Sequence, residues 1–225
     1  MEYKVAITDT NVEGIGGAVK KAIALAGGFC PEDNTIIAIK PNLTSDKCHS
    51  DSGITTNVEV VEAVVRHINA SAKGCKILIV ESDSDGTAAR AFKRLGYEDL
   101  AARYDNVKLV DLSQDKFVKL LPPDDAKVRS FDIPETLLSI NYFISIANLK
   151  RHVHECFSGI WKNSWGLPSH RLVRLKYHPF LPEALFDLNR LFWPDLSIID
   201  GVVGLDGAGP LDGFPRKIGK IICSK

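Results

Sequence analysis

Cysteine is scarce and scattered. Cys30, Cys48, Cys75, Cys156 and Cys223 are odd in number and include no C-x-x-C pair. That spacing excludes a disulfide framework and a closed zinc or iron–sulfur site built from this chain alone, and it suits reduced thiols. Net charge is missing too: 28 basic and 28 acidic side chains cancel. No global field therefore draws the chain to nucleic acid or a membrane surface, and neither is expected as a partner. No apolar run approaches the roughly 20 residues that span a bilayer. The opening "MEYKVAITDT" lacks the apolar centre of a secretory signal and reads instead as a strand. A cytoplasmic location is the expectation. Repeats and low-complexity tracts are absent.

What remains has an ordinary globular composition, 45% hydrophobic and 25% charged over 225 residues. The length suits one domain spanning 1–225. Apolar runs with strand character, "YKVAIT", "TIIAIKPNL", "KILIVESD", "VKLVDLS", "INYFISIAN", "DLSIIDGVVG" and "KIGKIICSK", are separated by stretches with helical spacing. Those include "VEGIGGAVKKAIALAGG", "NVEVVEAVVRHINASAKG" with Asn57 as cap and Gly74 as stop, "TAARAFKRLG" and "LPEALFDLNRLF". The alternation predicts an α/β fold: a mainly parallel sheet with helices on both faces. A more polar stretch around 114–134, with Pro122, Pro123 and Pro134, reads as a small hairpin excursion.

In such sheets ligands sit beyond the carboxyl ends of the strands. Polar groups gather at those ends. Lys40 and Asn42 follow "IIAI" around Pro41, and Glu81 and Asp83 follow "ILIV". Lys150, Arg151, His152 and His154 follow "FISIANL". In an extended segment residues two apart share a face, so Lys150, His152 and His154 can point together. A lysine in that set repels a cation, which favours an anion over a metal, with His152 as proton donor or acceptor. Lys162 and Asn163 lie in a short helical stretch, "FSGIWKNSWG", bracketed by Gly159 and Gly166. There Trp161 and Trp165 are expected against the sheet. His178 precedes Pro179, which argues for extended backbone. Asp200 ends another strand and leads into "GVVGLDGAGPLDG". Gly207 and Gly209 there can cradle a phosphate or simply reverse the chain. G-x-G-x-x-G does not occur in that loop, and Asp200, Asp206 and Asp212 are spaced too widely for an EF-hand. A divalent metal on those carboxylates is the lesser alternative.

K-P-N after a strand, then "KRH", "SGIWKNSWG", "YH", "IIDG" and "GAGPLDG" follow one another in an order that resembles the DUF362 family of uncharacterised bacterial and archaeal proteins. The resemblance runs over residues 35–225. It implies Lys40, Asn42, Lys150, His152, Lys162, Asn163, His178 and Asp200 as the recurring polar positions. Many members carry ferredoxin-like cysteine clusters beside this domain, which implies redox work. This chain has no such cysteines, so no intrinsic cluster is expected and electron transfer would need an iron–sulfur protein partner. Similar sequences also continue past the strand matching "GKIICSK", which implies a domain cut short at its C-terminus.

The expectation that follows is an enzyme acting on a small anion, a carboxylate or phosphate. His152, Lys150 and His178 would carry acid–base chemistry. Lys40, Asn42, Lys162, Asn163, Asp200, Gly207 and Gly209 would bind the substrate, with Asp200 positioning a histidine or lysine. The alternatives are a redox-associated module working with an iron–sulfur partner, and a non-catalytic domain whose polar strand ends only tie loops together.

Overall fold

A computed structural model describes residues 4–49, 51–153, 156–168 and 170–225. Its strands are β1 (Val5–Asp9), β2 (Ile36–Pro41), β3 (Lys76–Glu81), β4 (Val107–Asp111), β5 (Phe117–Leu120), β6 (Phe131–Pro134), β7 (Tyr142–His152), β8 (Cys156–Ser158), β9 (Leu196–Asp206) and β10 (Phe214–Ser224). The helices are α1 (Thr10–Leu25), α2 (Val58–Ser71), α3 (Ala88–Arg94), α4 (Tyr97–Ala102), α5 (Ile160–Asn163), α6 (Arg171–Arg174) and α7 (Leu181–Leu191).

Eight strands form one sheet in the order β1-β10-β9-β7-β2-β3-β4, with β8 joined to β7 off that path. The centre, from β9 through β7, β2 and β3 to β4, is parallel. One side ends in antiparallel pairs, β9 with β10 and β10 with β1. The fold is therefore α/β with a mostly parallel sheet. From β2 the chain proceeds to β3 and β4 on one side and later returns to β7 on the other. That makes the β2–β7 junction the switch in strand order where a crevice is expected.

Alternation along the strands builds two cores. Ile37, Ile39, Ile77, Ile79, Ile144 and Ile146 face one side and pack with α1, α2, α3 and α4. Ala38, Val80 and Phe143 face the other and pack with Phe131 and Ile133 of β6 and Ala184 and Leu188 of α7. Period-two alternation on strands buried on both faces requires two helical layers. Helix α2 shows why the layer forms. Val60, Val61, Val64, Val65 and Ile68 recur at helical spacing and are fully buried, and Asn57 caps the first turn by accepting from Glu59 N at 2.9 Å. The polar excursion is a two-stranded antiparallel hairpin of β5 and β6.

Several local expectations are corrected. The glycine-rich loop after Asp200 is shorter than expected, because β9 runs on through Gly201 and Gly204. A Cβ at Gly201 would lie 2.9 Å from the Lys220 carbonyl, so glycine there lets the hairpin strands close. His178 sits in a 3₁₀ turn over Leu175–Phe180, not in extended backbone. The turn puts Pro179 inside helical geometry, overriding the usual pre-proline preference. Trp161 is exposed while Asn163 is buried, the reverse of the expected facing in that segment. Helix α2 ends at Ser71, with Ala72 as its C-cap, before the expected glycine stop is reached.

Candidate functional site

A cleft of about 280 Å³ opens at the carboxyl ends of β2, β3 and β7. Its floor is a buried ion pair. Lys40, near the end of β2, is 2% exposed and donates to Glu81 Oε1 at 2.6 Å and to the Pro41 carbonyl at 3.0 Å. Glu81 ends β3, and its carboxylate also accepts from Ser82 N and Leu43 N, both at 2.9 Å. Burial pushes the Lys40 ammonium below its ordinary value, and Glu81 opposes the fall. Gly166 closes over this pair. A Cβ at that position would stand 2.6 Å from Lys40 Cε and 2.9 Å from Glu81 Oε1, so the close approach needs a glycine.

Lys150 and His152 come from the end of β7. Their side chains share a face and are 3% and 9% exposed, while Arg151 between them points to solvent. That is the strand alternation expected from sequence. Lys150 Nζ donates to Asn42 Oδ1 at 2.9 Å, Thr44 Oγ1 at 2.9 Å and the Ile54 carbonyl at 2.7 Å. Burial lowers this lysine to about 7, and the nearby Lys162 charge adds to the fall. Asn42 Nδ2 donates to Asn163 Oδ1 at 3.3 Å, and Asn163 Nδ2 donates to the Lys40 carbonyl at 3.1 Å and Ser145 Oγ at 3.0 Å. The two asparagines thus link α5 to the ends of β2 and β7.

The far wall comes from α6 and the turn after it. Arg174 is buried and donates to Ser82 Oγ at 2.7 Å, the Trp165 carbonyl at 3.1 Å and the Asp83 carbonyl. Arg171 and His178 line the mouth, where His178 meets the Trp165 ring edge-on at 6.2 Å. Among the described residues the lining holds Lys40, Lys150, Lys162, Arg171 and Arg174 with one carboxylate, Glu81. Among the described residues no three His, Cys, Asp or Glu side chains are grouped to hold a metal.

Lys40, Asn42, Lys150, His152, Lys162, Asn163 and His178 all line this cleft. Asp200, Gly207 and Gly209 do not. Asp200 is buried between β7 and β9 and accepts from Asn57 N at 2.7 Å and Val202 N at 2.9 Å. It ties the start of α2 to the sheet and orients neither a histidine nor a lysine of the cleft. Burial pushes its carboxyl up to about 6, against those two backbone donors. Gly207 takes a left-handed φ of 99° in the β9–β10 turn. The Gly209 carbonyl accepts from Val153 N at 3.0 Å, and a Cβ on Gly209 would fall 1.9 Å from the Arg151 carbonyl. These glycines shape the turn and bring it against β7. Pro210, next in the chain, reaches the cleft wall. His154 lies outside the described residues.

Sequence reasoning missed Arg171, Arg174, Thr44 and Ser82. Thr44 and Ser82 sit three and one residues beyond the ends of β2 and β3, so extending the motifs at those strand ends would have found them. Arg171 and Arg174 are three apart in a segment with no strand before it, and only tertiary packing reveals that Arg174 is buried and that both reach the cleft.

The fold and the site together define the class: the chain belongs to the DUF362 family, a domain of unknown function, whose family model matches residues 37–225. A relative with a name is the thylakoid-associated protein sll1697 of Synechocystis sp., 24% identical over 209 residues. The match takes in 88% of this chain and 61% of the relative, so the chain spans about three-fifths of that protein's length. Among solved structures the lactate racemase apoprotein of Thermoanaerobacterium thermosaccharolyticum is similar, with a TM-score of 0.53 and 14% identity. The superposition covers 85% of this chain and 49% of the racemase. That likeness concerns the fold. No helix among the described residues is long and apolar enough to cross a membrane.

Proposed function

We propose that the cleft binds a small anion, a carboxylate or phosphate, and that His152 and Lys150 carry acid–base chemistry on it. One observation carries the reading: five lysine and arginine side chains line the cleft, and among the described residues Glu81 is the carboxylate that lines it with them. Lys40 and Glu81 neutralise each other, and Lys150, Arg171 and Arg174 add further positive charge to the lining. In a partly desolvated cleft an anion interacts with those charges far more strongly than at an open surface. The chain's formal charge is zero, so binding depends on this local arrangement.

Each group has a role set by its chemistry. Arg174 and Arg171 offer the forked donors that suit carboxylate and phosphate oxygens. Asn42 and Asn163, held by their mutual hydrogen bond, present polar edges that orient the ligand. Lys150, lowered to about 7, can give or take a proton near neutrality, and His152 offers an imidazole on the same strand face. The racemase with a similar fold acts, by its name, on lactate, a small carboxylate, which makes lactate a natural first probe.

A thermal-shift panel of inorganic phosphate, lactate and related small carboxylates tests the reading. At least one anion should raise Tm saturably. Lys162→Met should weaken the response about tenfold or more, the loss expected for one charge-assisted contact. No response to any anion, or equal responses in the variant and wild type, would leave the cleft as a structural tie between strand ends.

A further inference from the structure

We infer that Lys150 is the nucleophilic amine of a site for small oxo acids, condensing through Nζ with the substrate's carbonyl carbon to form an imine. The inference rests on the anion-binding reading of the same cleft and names its substrate class. A contrast between two buried lysines carries it. Lys40 is held as an ammonium by Glu81 at 2.6 Å. Lys150 is equally buried, yet Asn42 Oδ1, Thr44 Oγ1 and the Ile54 carbonyl, its hydrogen-bond acceptors, are all neutral. Among the described residues no carboxylate lies within ion-pair distance of its Nζ.

Among the described residues the charged and titratable groups facing Lys150 are Lys40 from β2, Glu81 from β3, Lys162 from α5, Cys48 from the segment after β2, and His152 on its own strand. Glu81 is already engaged by Lys40. Burial first, then the Lys162 charge and last Lys40, act against the ammonium, with Cys48 and Glu81 opposing, and the net fall is how a lysine is activated as a nucleophile. A lysine at about 7 is an amine for a large share of the time at neutral pH. The three partners suit both states. The ammonium donates to all three. The amine donates to Asn42 and Ile54, and the Thr44 hydroxyl, which in this structure donates to Asn42 Oδ1 at 2.6 Å, can turn its proton to the lone pair by giving up that bond. A substrate carboxylate is met by Lys162, Arg171 and Arg174.

The step balances without a further reagent. The Nζ lone pair forms the C–N bond, and the carbonyl π pair moves to oxygen, which takes a proton. The resulting carbinolamine breaks its C–O bond and releases water. Both amine protons end in that water, and His152, on the same strand face, is placed to carry them. Nothing is oxidised or reduced.

The test is reductive trapping on the intact chain. The wild-type protein is incubated with pyruvate or acetoacetate, reduced with sodium borohydride, and read by intact mass and peptide mapping. Binding of the same acids is measured in parallel by calorimetry without borohydride. The expected result is one reductively coupled acid per chain, mapped to Lys150 and suppressed by excess inorganic phosphate. Lys150→Arg should lose the adduct, and the wild-type map decides the matter even if that variant misfolds. Acids that bind without trapping at Lys150 would overturn the imine and leave the anion site standing. Binding of neither acid would overturn the imine, and the absence of any calorimetric signal for inorganic phosphate as well would overturn both.

Discussion

Lys150 and Lys40 show how one side chain acquires two characters within a single cleft. Both are buried, and the difference is a carboxylate. The pairing of Lys40 with Glu81 is costly to break, because removing one partner leaves a charge buried without compensation. Glu81→Gln should therefore destabilise the fold by about 3 kcal/mol or more, measured by urea unfolding at neutral pH. Lys150 has the opposite signature. Its folded value, about 7, lies below the ordinary 10.5, so the unfolded chain binds the extra proton between those values. The cost of burying its charge is complete below about 7 and is relieved as pH rises toward 10.5, so this group makes stability increase with pH in that window. Lys150→Met removes the dependence. The stability of the variant relative to wild type should fall by on the order of 2–3 kcal/mol between pH 6 and pH 9, measured by parallel denaturation curves. Affinity for a carboxylate should also decline in the wild type as pH rises through about 7, with the midpoint moved upward by the bound anion. Calorimetry across the same range would register it. Lys150 and His152 were legible in the sequence because alternate residues on a strand share a face. Asp200 was not placed correctly, since nothing in its own neighbourhood announces that the backbone N–H of Asn57, far off in the chain, will reach it.

At the scale of elements, the cleft depends on short pieces more than on long ones. Helix α5 and the 3₁₀ turn over Ser164–Gly166 bring Asn163 and Gly166 down onto the floor. Gly166→Ala would force a methyl into the Lys40–Glu81 pair. It should cost about 1–3 kcal/mol and abolish anion binding, checked together by thermal denaturation and calorimetry. Helix α2 is more conventional. Asn57→Ala should cost about 1 kcal/mol in chemical denaturation and leave binding intact, since the cap lies on the opposite side of the sheet from α5 and α6. The long, periodic elements were readable because propensity, cap and pattern agree along them. Near the cleft those signals conflict: Pro179 sits inside helical geometry, and Trp161 is left exposed while Asn163 is buried. There the tertiary contacts of Asn163 and Gly166 decide the local structure.

For the whole molecule, topology explains why separate stretches meet. A mostly parallel sheet sends the carboxyl ends of β2, β3 and β7 to one rim, and the reversal in strand order between β2 and β7 leaves space there. Strand alternation made the α/β class and the rim readable in advance. The antiparallel end formed by β9, β10 and β1 was not, because a hairpin and a parallel crossover can use equally apolar strands. The glycines between β9 and β10 looked like a ligand loop for the same reason: a tight reversal and a phosphate cradle need the same residue. The central claim, an anion held at that rim, is most directly tested by a crystal structure of the protein soaked with phosphate or lactate. The account predicts difference density inside the cleft, in contact with Arg174 and at least one of Lys150 and Lys162. An empty cleft at saturating ligand, or density confined to other surfaces, would contradict it.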